Sequence, residues 1–250
     1  MLLFYDPDKL MNNKLFYHFY IPDSPSNWEL LLYEQLDCIE SSELHHECKL
    51  EICVSSNKSN FNKLKNCINF YPVLNLKISW FDTSNEKNTD HHEGNTLSKL
   101  YDECSFYENV GYIHSKSVTS ITKYTNKWRK ALEHAVIEKY QDNLKALNNN
   151  HDVSGILWSE TDIARYFCGN FWWAKSSYIQ TLPKPTENWN GYNGDFWESR
   201  CRYEAWIGIK NPRVNEIYSS NISLGISMYY HDFDIKRTST LKFDTKLSYF

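Results

Sequence analysis

No glycine-rich phosphate loop of either common type, GxGxxG or GxxxxGK[ST], occurs in this chain of 250 residues, which has only 8 glycines in all. A nucleotide phosphate therefore cannot be cradled in either of those two ways. No Cys-x-x-Cys pair is present either. The seven cysteines, Cys38, Cys48, Cys53, Cys67, Cys104, Cys168 and Cys201, are odd in number and read as reduced cytosolic thiols, packed mostly as small apolar side chains. On that reading the glycosylation sequons at Asn57 and Asn221 are chance matches. No apolar run approaches the length of a membrane span. The first ten residues, MLLFYDPDKL, contain acids and no long apolar stretch followed by small residues, which argues against a secretory signal. A basic excess is missing as well: 27 Lys and Arg against 31 Asp and Glu leave a formal charge of −4. No overall field holds nucleic acid or an anionic membrane, so any anion must be bound locally.

What the chain does have is aromatic residues, 16% of the total, with 9 Trp, 18 Tyr and 13 Phe. Their flat faces suit sugar rings and nucleobases, but they also fill ordinary cores, and composition alone favours the core. The length fits one domain over residues 1–250, with 211–250 a weakly patterned C-terminal extension.

The first third alternates short strand-like and helix-like segments. Leu15 to Ile21 predicts a strand, Ser26 and Glu29 a capping-box start to the helix running through LLLYEQLDCI, and Lys49 to Ser55 a second strand. Phe61 to Tyr71 predicts a short helix and Leu76 to Phe81 a third strand. This βαβαβ pattern implies parallel pairing with helices on the sheet faces. Asp82 to Asp90 reads as a loop, Thr96 to Cys104 as a helix, and Asn109 to Lys116 as a fourth strand. From Thr125 to Leu147 apolar residues recur at three, four and seven, the mark of an amphipathic helix. Val153 to Trp158 predicts a fifth strand, Trp197 to Ile209 a helix, and KRTSTLKFDTKLSYF a loose tail.

Three segments carry candidate chemistry. The first is GYIHSKSV, where His114 and Lys116, spaced i and i+2, would share one face of an extended strand end. Unpaired charge is costly at such a place, so Lys116 should face either a carboxylate in an ordinary salt bridge or a bound anion such as a diphosphate. The open end of an α/β sheet is where ligands bind. The second segment runs from Cys168 to Pro183. Gly169 permits close backbone approach, Asn170 offers both donor and acceptor, and Trp172 and Trp173 point to opposite sides if extended, one packing inward while its neighbour forms a platform. The third is Glu198 to Gly208. Its Glu204 is a carboxylate in apolar surroundings, suited either to general-base work or to an ion pair with Arg202. Other patterns fail. His114-x-Lys116 lacks the aspartate of a phosphodiesterase HxKx4D motif, Ile121 standing there, and His45-His46-Glu47 and His91-His92-Glu93 read as solvated loops rather than metal sites.

Together and in this order these segments resemble the small single-domain GT-A glycosyltransferases of bacterial surface-polysaccharide loci and large DNA viruses. Members of that family show a strand ending Y-[IL]-H-[ST]-K-G, a W-R plus M-E helix, a G-N-F-W-W-A segment leading to L-P, and an E-x-W-I helix. The counterparts are GYIHSKSV, Trp128-Arg129 with Leu132-Glu133, GNFWWAKSSYIQTLP, and Glu204-Ala-Trp206-Ile207, spread over residues 15 to 210. Ser117 departs from the pattern, standing where the family has glycine.

The resemblance implies an α/β, GT-A-like three-layer fold with a mostly parallel, mixed central sheet flanked by helices. It also implies transfer of a sugar from a nucleoside diphosphate donor, most simply a UDP-sugar, to a hydroxyl of a saccharide or glycolipid acceptor with inversion. In that frame Lys116 and His114 would stabilise the departing diphosphate, and Glu204 would deprotonate the acceptor. His18 and Tyr20 would contact the base, Glu93, Asn95 and Thr96 would lie near the nucleoside, and Gly169, Asn170, Trp172 and Trp173 would complete the donor site. The Asp-x-Asp metal motif of many GT-A enzymes is missing from the strand that carries HSK. No cofactor is then required at that strand, unless Mn or Mg is held by Asp195, His231 or Asp232. The implied setting is cytoplasmic or membrane-peripheral, with no nucleic-acid partner and no transmembrane segment. A non-catalytic carbohydrate-binding protein is the alternative, and a phosphodiesterase built on His114 a more remote one.

Overall fold

A computed structural model describes residues 11–84, 92–119, 122–162, 164–187, 201–218, 232–234 and 242–244, with His92, Cys201 and the last two segments described by backbone alone. In chain order the first elements are β1 (Asn13–Tyr20), α1 (Trp28–Ser41), β2 (Cys48–Ser56), α2 (Lys58–Ile68), β3 (Lys77–Asp82), α3 (His92–Glu103) and β4 (Asn109–His114). There follow α4 (Lys123–Glu133), a π turn (His134–Glu138), α5 (Tyr140–Asn148), β5 (Val153–Gly155), β6 (Trp158–Glu160), β7 (Arg165–Phe167) and β8 (Trp172–Lys175). The last are α6 (Ser176–Ile179), α7 (Cys201–Ala205), β9 (Val214–Glu216), β10 (Asp232–Asp234) and β11 (Lys242–Asp244).

The main sheet has seven strands in the order β3-β2-β1-β4-β8-β5-β9. Strands β1 to β4 are mutually parallel, β8 runs antiparallel between β4 and β5, and β9 is parallel to β5. The parallel pairing of β1 to β3 is what the segment pattern predicts, and the mostly parallel, mixed sheet flanked by helices is what the family resemblance implies. Strand alternation divides the core. Leu15, Tyr17, Phe19, Ile113 and Trp173 pack under α1, α2, α4 and α5, whereas Phe16, Tyr112 and Trp172 pack under α3, α6 and α7.

The sequence pattern misplaces several boundaries, each for a local reason. β4 stops at His114, because the Lys116 amide turns back to donate to the His114 carbonyl at 2.7 Å. The expected shared face of His114 and Lys116 is therefore absent, since the two residues no longer lie on one extended segment. The fifth strand breaks after Gly155, and Leu157 adopts a positive φ of 63° before β6 begins. The long amphipathic helix is interrupted by the π turn, in which the Lys139 amide reaches back five residues to the His134 carbonyl at 3.0 Å. The expected capping box on α1 does not form. Asn27 is the N-cap and makes no side-chain cap bond, and the buried Ser26 hydroxyl finds no partner among the described residues. Part of the supposed loose tail is ordered, as β10 pairs antiparallel with β11. The expected helix from Trp197 begins outside the described residues and is seen as α7 followed by a short 3-10 turn at Trp206–Gly208.

At the amino-terminal half of the sheet lies a charged cluster that no periodicity announces. Lys14 on β1 donates to Glu51 on β2 and to Glu103 at the end of α3, with Lys77 and Lys99 around the same carboxylates. Burial works against the Lys14 ammonium, but hydrogen bonds to Glu103 and Glu51 outweigh it and hold its pKa above the ordinary lysine value. This cluster fastens α3 to the sheet and so fixes the helix whose other end reaches the site described next.

Candidate functional site

Strand β1 lies between β2 and β4, and the chain leaves in opposite directions on its two sides: β1 to β2 to β3 one way, then across through α3 to β4. A crevice is expected where the strand order reverses, outside the carboxyl ends of β1 and β4. His18 and His114 are paired in register there.

From these two residues a hydrogen-bonded network spreads onto α3 and the turn before β8. His18 Nδ1 bonds to the Thr96 hydroxyl at 2.8 Å, both residues being buried. His114 Nε2 donates to the Gly169 carbonyl at 2.8 Å, which leaves Nδ1 turned to the Glu93 carboxylate at 4.0 Å. Glu93, on the first turn of α3, also receives the Asn170 side-chain amide at 2.9 Å and the Tyr112 hydroxyl at 3.3 Å. The Asn170 side-chain oxygen accepts from Trp172 Nε1 at 2.8 Å, and this fixes which way the amide points. Burial first, and then the neighbouring Glu93 carboxylate, push the Tyr112 phenol well above its usual pKa, so it remains a donor.

The turn at residues 168–170 holds this network because of its backbone. Gly169 has φ +94° and Asn170 φ +55°. A Cβ at Gly169 would sit 2.6 Å from Leu132 Cδ1 and 3.1 Å from the Trp128 ring, so α4 closes against the turn only because glycine is there. Trp128 also receives Lys116, whose Nζ stands 4.0 Å from the ring centroid in a cation–π contact while the side chain as a whole is buried. His114 thus bonds to Gly169 directly, whereas Lys116 lies over Trp128, whose ring lines the same turn.

Glu204 comes from α7, which packs on α3 where Gly94 faces Tyr203; a Cβ on Gly94 would lie 2.5 Å from the Tyr203 hydroxyl oxygen. The charges of Glu204 and Lys116 act on a common neighbour. The Cys168 thiol is pushed up to about 12, by burial above all and then by the Glu204 carboxylate, with Lys116 opposing. Lys116 and Glu204 are thus both within electrostatic range of Cys168, the first from the turn after β4 and the second from α7.

The other candidates fall as follows. Tyr20 closes β1, and its backbone amide donates to the Ser115 hydroxyl at 2.9 Å. Asn95 stands half-buried on the first turns of α3. Trp172 and Trp173 do point to opposite faces of the sheet, yet both are fully buried, Trp173 donating to the Val136 carbonyl at 2.9 Å. Neither forms the expected platform, because β8 is an interior strand covered on both faces. Ser117 has φ +72°, the left-handed region in which the family's glycine would sit without strain. His45 and His46 share a short 3-10 turn, and His91 lies outside the described residues. Asp195 and His231 lie outside the described residues as well, and Asp232 is described by backbone only, as the first residue of β10. Among the described residues no three His, Cys, Asp or Glu side chains converge in a way that could hold a metal ion.

Sequence reasoning missed Tyr112 and Ser115. The spacing of Tyr112 from His114 could have signalled the first, since residues two apart on a strand share a face. Ser115 lies inside the HSK unit. Its amide donates to the His18 carbonyl at 2.9 Å, carrying the β1–β4 pairing one step beyond the strand end.

Residues 16–193 match the model of the family described as Domain of unknown function (DUF8361), and the chain belongs to that family. No curated protein matches it. Among solved structures, it is similar to the crystal structure of 4-diphosphocytidyl-2C-methyl-D-erythritolsynthase from Anaerococcus prevotii DSM 20548. The identity is 12%, the match covers 87% of this chain and 95% of that one, and the TM-score is 0.44, a likeness too distant to assign an activity.

Proposed function

We propose that this chain is a GT-A type glycosyltransferase that moves a sugar from a nucleoside diphosphate donor, most simply a UDP-sugar, to a hydroxyl of a saccharide or glycolipid acceptor. The observation that carries the reading is the buried Lys116 ammonium, held over Trp128 just beyond the carboxyl ends of β1 and β4 where a ligand crevice is expected, with the Glu204 carboxylate acting on Cys168 of the adjoining turn. The ordered resemblance of HSK, GNFWWA and EAWI to that enzyme family supports it independently.

In this mechanism the buried ammonium of Lys116 holds the diphosphate and offsets the negative charge that grows as the anomeric C–O bond breaks. Glu204 takes the proton of the acceptor hydroxyl while its oxygen attacks the anomeric carbon from the opposite side, inverting configuration. His114, fixed by Gly169 and Glu93, keeps the turn and the strand end in register. In this reading His18 and Tyr20 contact the base, and Glu93, Asn95 and Thr96 lie near the nucleoside. A divalent Mn or Mg ion, if used, would screen the diphosphate and would have to draw on Asp195, His231 or Asp232. Among the described residues no helix is long and apolar enough to cross a membrane. A cytoplasmic or membrane-peripheral setting suits this chemistry.

A non-catalytic sugar-binding protein would need an aromatic surface, and burial of Trp172 and Trp173 disfavours it. Incubation with a panel of UDP-, GDP- and dTDP-sugars separates the two. The transferase is expected to hydrolyse one nucleotide sugar slowly without acceptor and to retain that activity in chelator. A protein that consumes none of them, with or without divalent cation, is not this enzyme.

A further inference from the structure

Gln35 is a fully buried amide on the inner face of α1, where its neighbours on the same face are Leu31, Leu32, Leu36 and Ile39. A leucine would suit that face, and an amide there carries a desolvation cost unless both of its ends are hydrogen-bonded. Both are. The Tyr17 hydroxyl on β1 donates to the Gln35 side-chain oxygen at 2.6 Å, and the Gln35 amide nitrogen donates to the His114 carbonyl at 3.3 Å. The same carbonyl accepts the Lys116 amide at 2.7 Å, the bond that ends β4 and turns the chain. The directions are forced. The His114 carbonyl can only accept, so the amide nitrogen must face it, the amide oxygen must face Tyr17, and the phenol must donate.

We propose that Tyr17 and Gln35 are positioning residues, a buried phenol–amide relay that holds the carbonyl at the end of β4 and so sets the turn from which Lys116 reaches Trp128. The relay touches no substrate. It acts through the backbone of His114 and the direction it gives the next two residues, and its link to catalysis rests on the glycosyltransferase reading. That carbonyl carries two bonds at once, one to the relay and one to the Lys116 amide, and without the relay it is free to rotate out of line with the Lys116 amide. Ser115 braces the same turn from the β1 side, through its amide to His18 and its hydroxyl to Tyr20. The relay is the corresponding brace from α1.

Two readouts on the full chain test the proposal, and they fail separately. The first is amide hydrogen exchange over residues 114–118, which needs no nucleotide. Gln35→Leu should speed exchange of the Lys116 amide by on the order of tenfold while leaving the amides of β2 unchanged. Tyr17→Phe, which removes a single hydroxyl, should act in the same direction and carries the test if Gln35→Leu does not fold. Unchanged exchange at residue 116 in the folded variant overturns the relay. The second readout is the dissociation constant for UDP. Gln35→Leu should weaken binding by on the order of tenfold in the parent chain but by less than about twofold in a Lys116→Ala background, because it acts through that lysine. Equal losses in both backgrounds would mean a general packing defect and would overturn the positioning role. A parent chain that binds no UDP contradicts the proposed function instead, and the exchange result still decides the relay.

Discussion

Gly169→Ala is expected to destabilise the protein by about 3 kcal/mol or more, from left-handed strain and overpacking together. The two costs arise from one geometry. At φ +94° an L side chain is strained whatever the space around it, and the added Cβ would lie 2.6 Å from Leu132 Cδ1 with the Trp128 ring on its other side. Relief by moving α4 would withdraw Trp128 from beneath Lys116. Relief by flattening the turn would withdraw the carbonyl that holds His114. Stability and the site should therefore fail together. Thermal unfolding should show a loss of about 6–12 °C for a chain of this size. A variant that melts within about 2 °C of the parent would contradict the turn geometry.

The largest effect on chemistry is expected from Glu204→Gln. Amide for carboxylate is nearly isosteric, so the fold should persist, while removal of a general base should lower transfer by about 10²- to 10⁴-fold. Donor affinity should hardly change, because the residue is assigned to the acceptor side. A second measurement does not depend on turnover. Glu204 is one of the groups, after burial, that hold the Cys168 thiol up at about 12, so the Gln variant should bring that thiol down and make it react faster with an alkylating reagent at alkaline pH. Transfer at near-parental rates would remove Glu204 from the mechanism. Lost transfer with an unchanged thiol would show that the carboxylate does not face the turn.

The fold was legible wherever periodicity reports burial on one face. β1, β2 and the first part of β4 stand out because parallel strands covered on both sides read as short apolar runs, and Phe16-Tyr17-His18-Phe19 shows this with both neighbours of His18 buried in the core, whereas β3 is a half-buried edge strand. Termini were less legible, because they are decided by single backbone bonds. The Lys116 amide turning to His114 and the positive φ at Leu157 leave no mark on hydrophobic pattern. Polar residues inside strands and helices were the hardest. Lys14, Glu51 and Gln35 are buried among apolar neighbours, and only three-dimensional pairing makes them tolerable. In the candidate site the residue types were readable and their partners were not. Glu93, His114, Gly169 and Asn170 all appear in the motifs, yet nothing in their spacing says that the first receives a bond from the last. The paired tryptophans misled because their length and flatness suit a sugar as well as a core, and the interior position of β8 decides between the two.

Titration of UDP into the parent chain and into Lys116→Ala, by calorimetry at fixed ionic strength, tests the central claim most directly. A fixed ammonium that holds a diphosphate predicts binding by the parent and a loss of at least about tenfold in the variant, with melting temperature little changed. Equal affinity in the two proteins, or no heat from either, would contradict it.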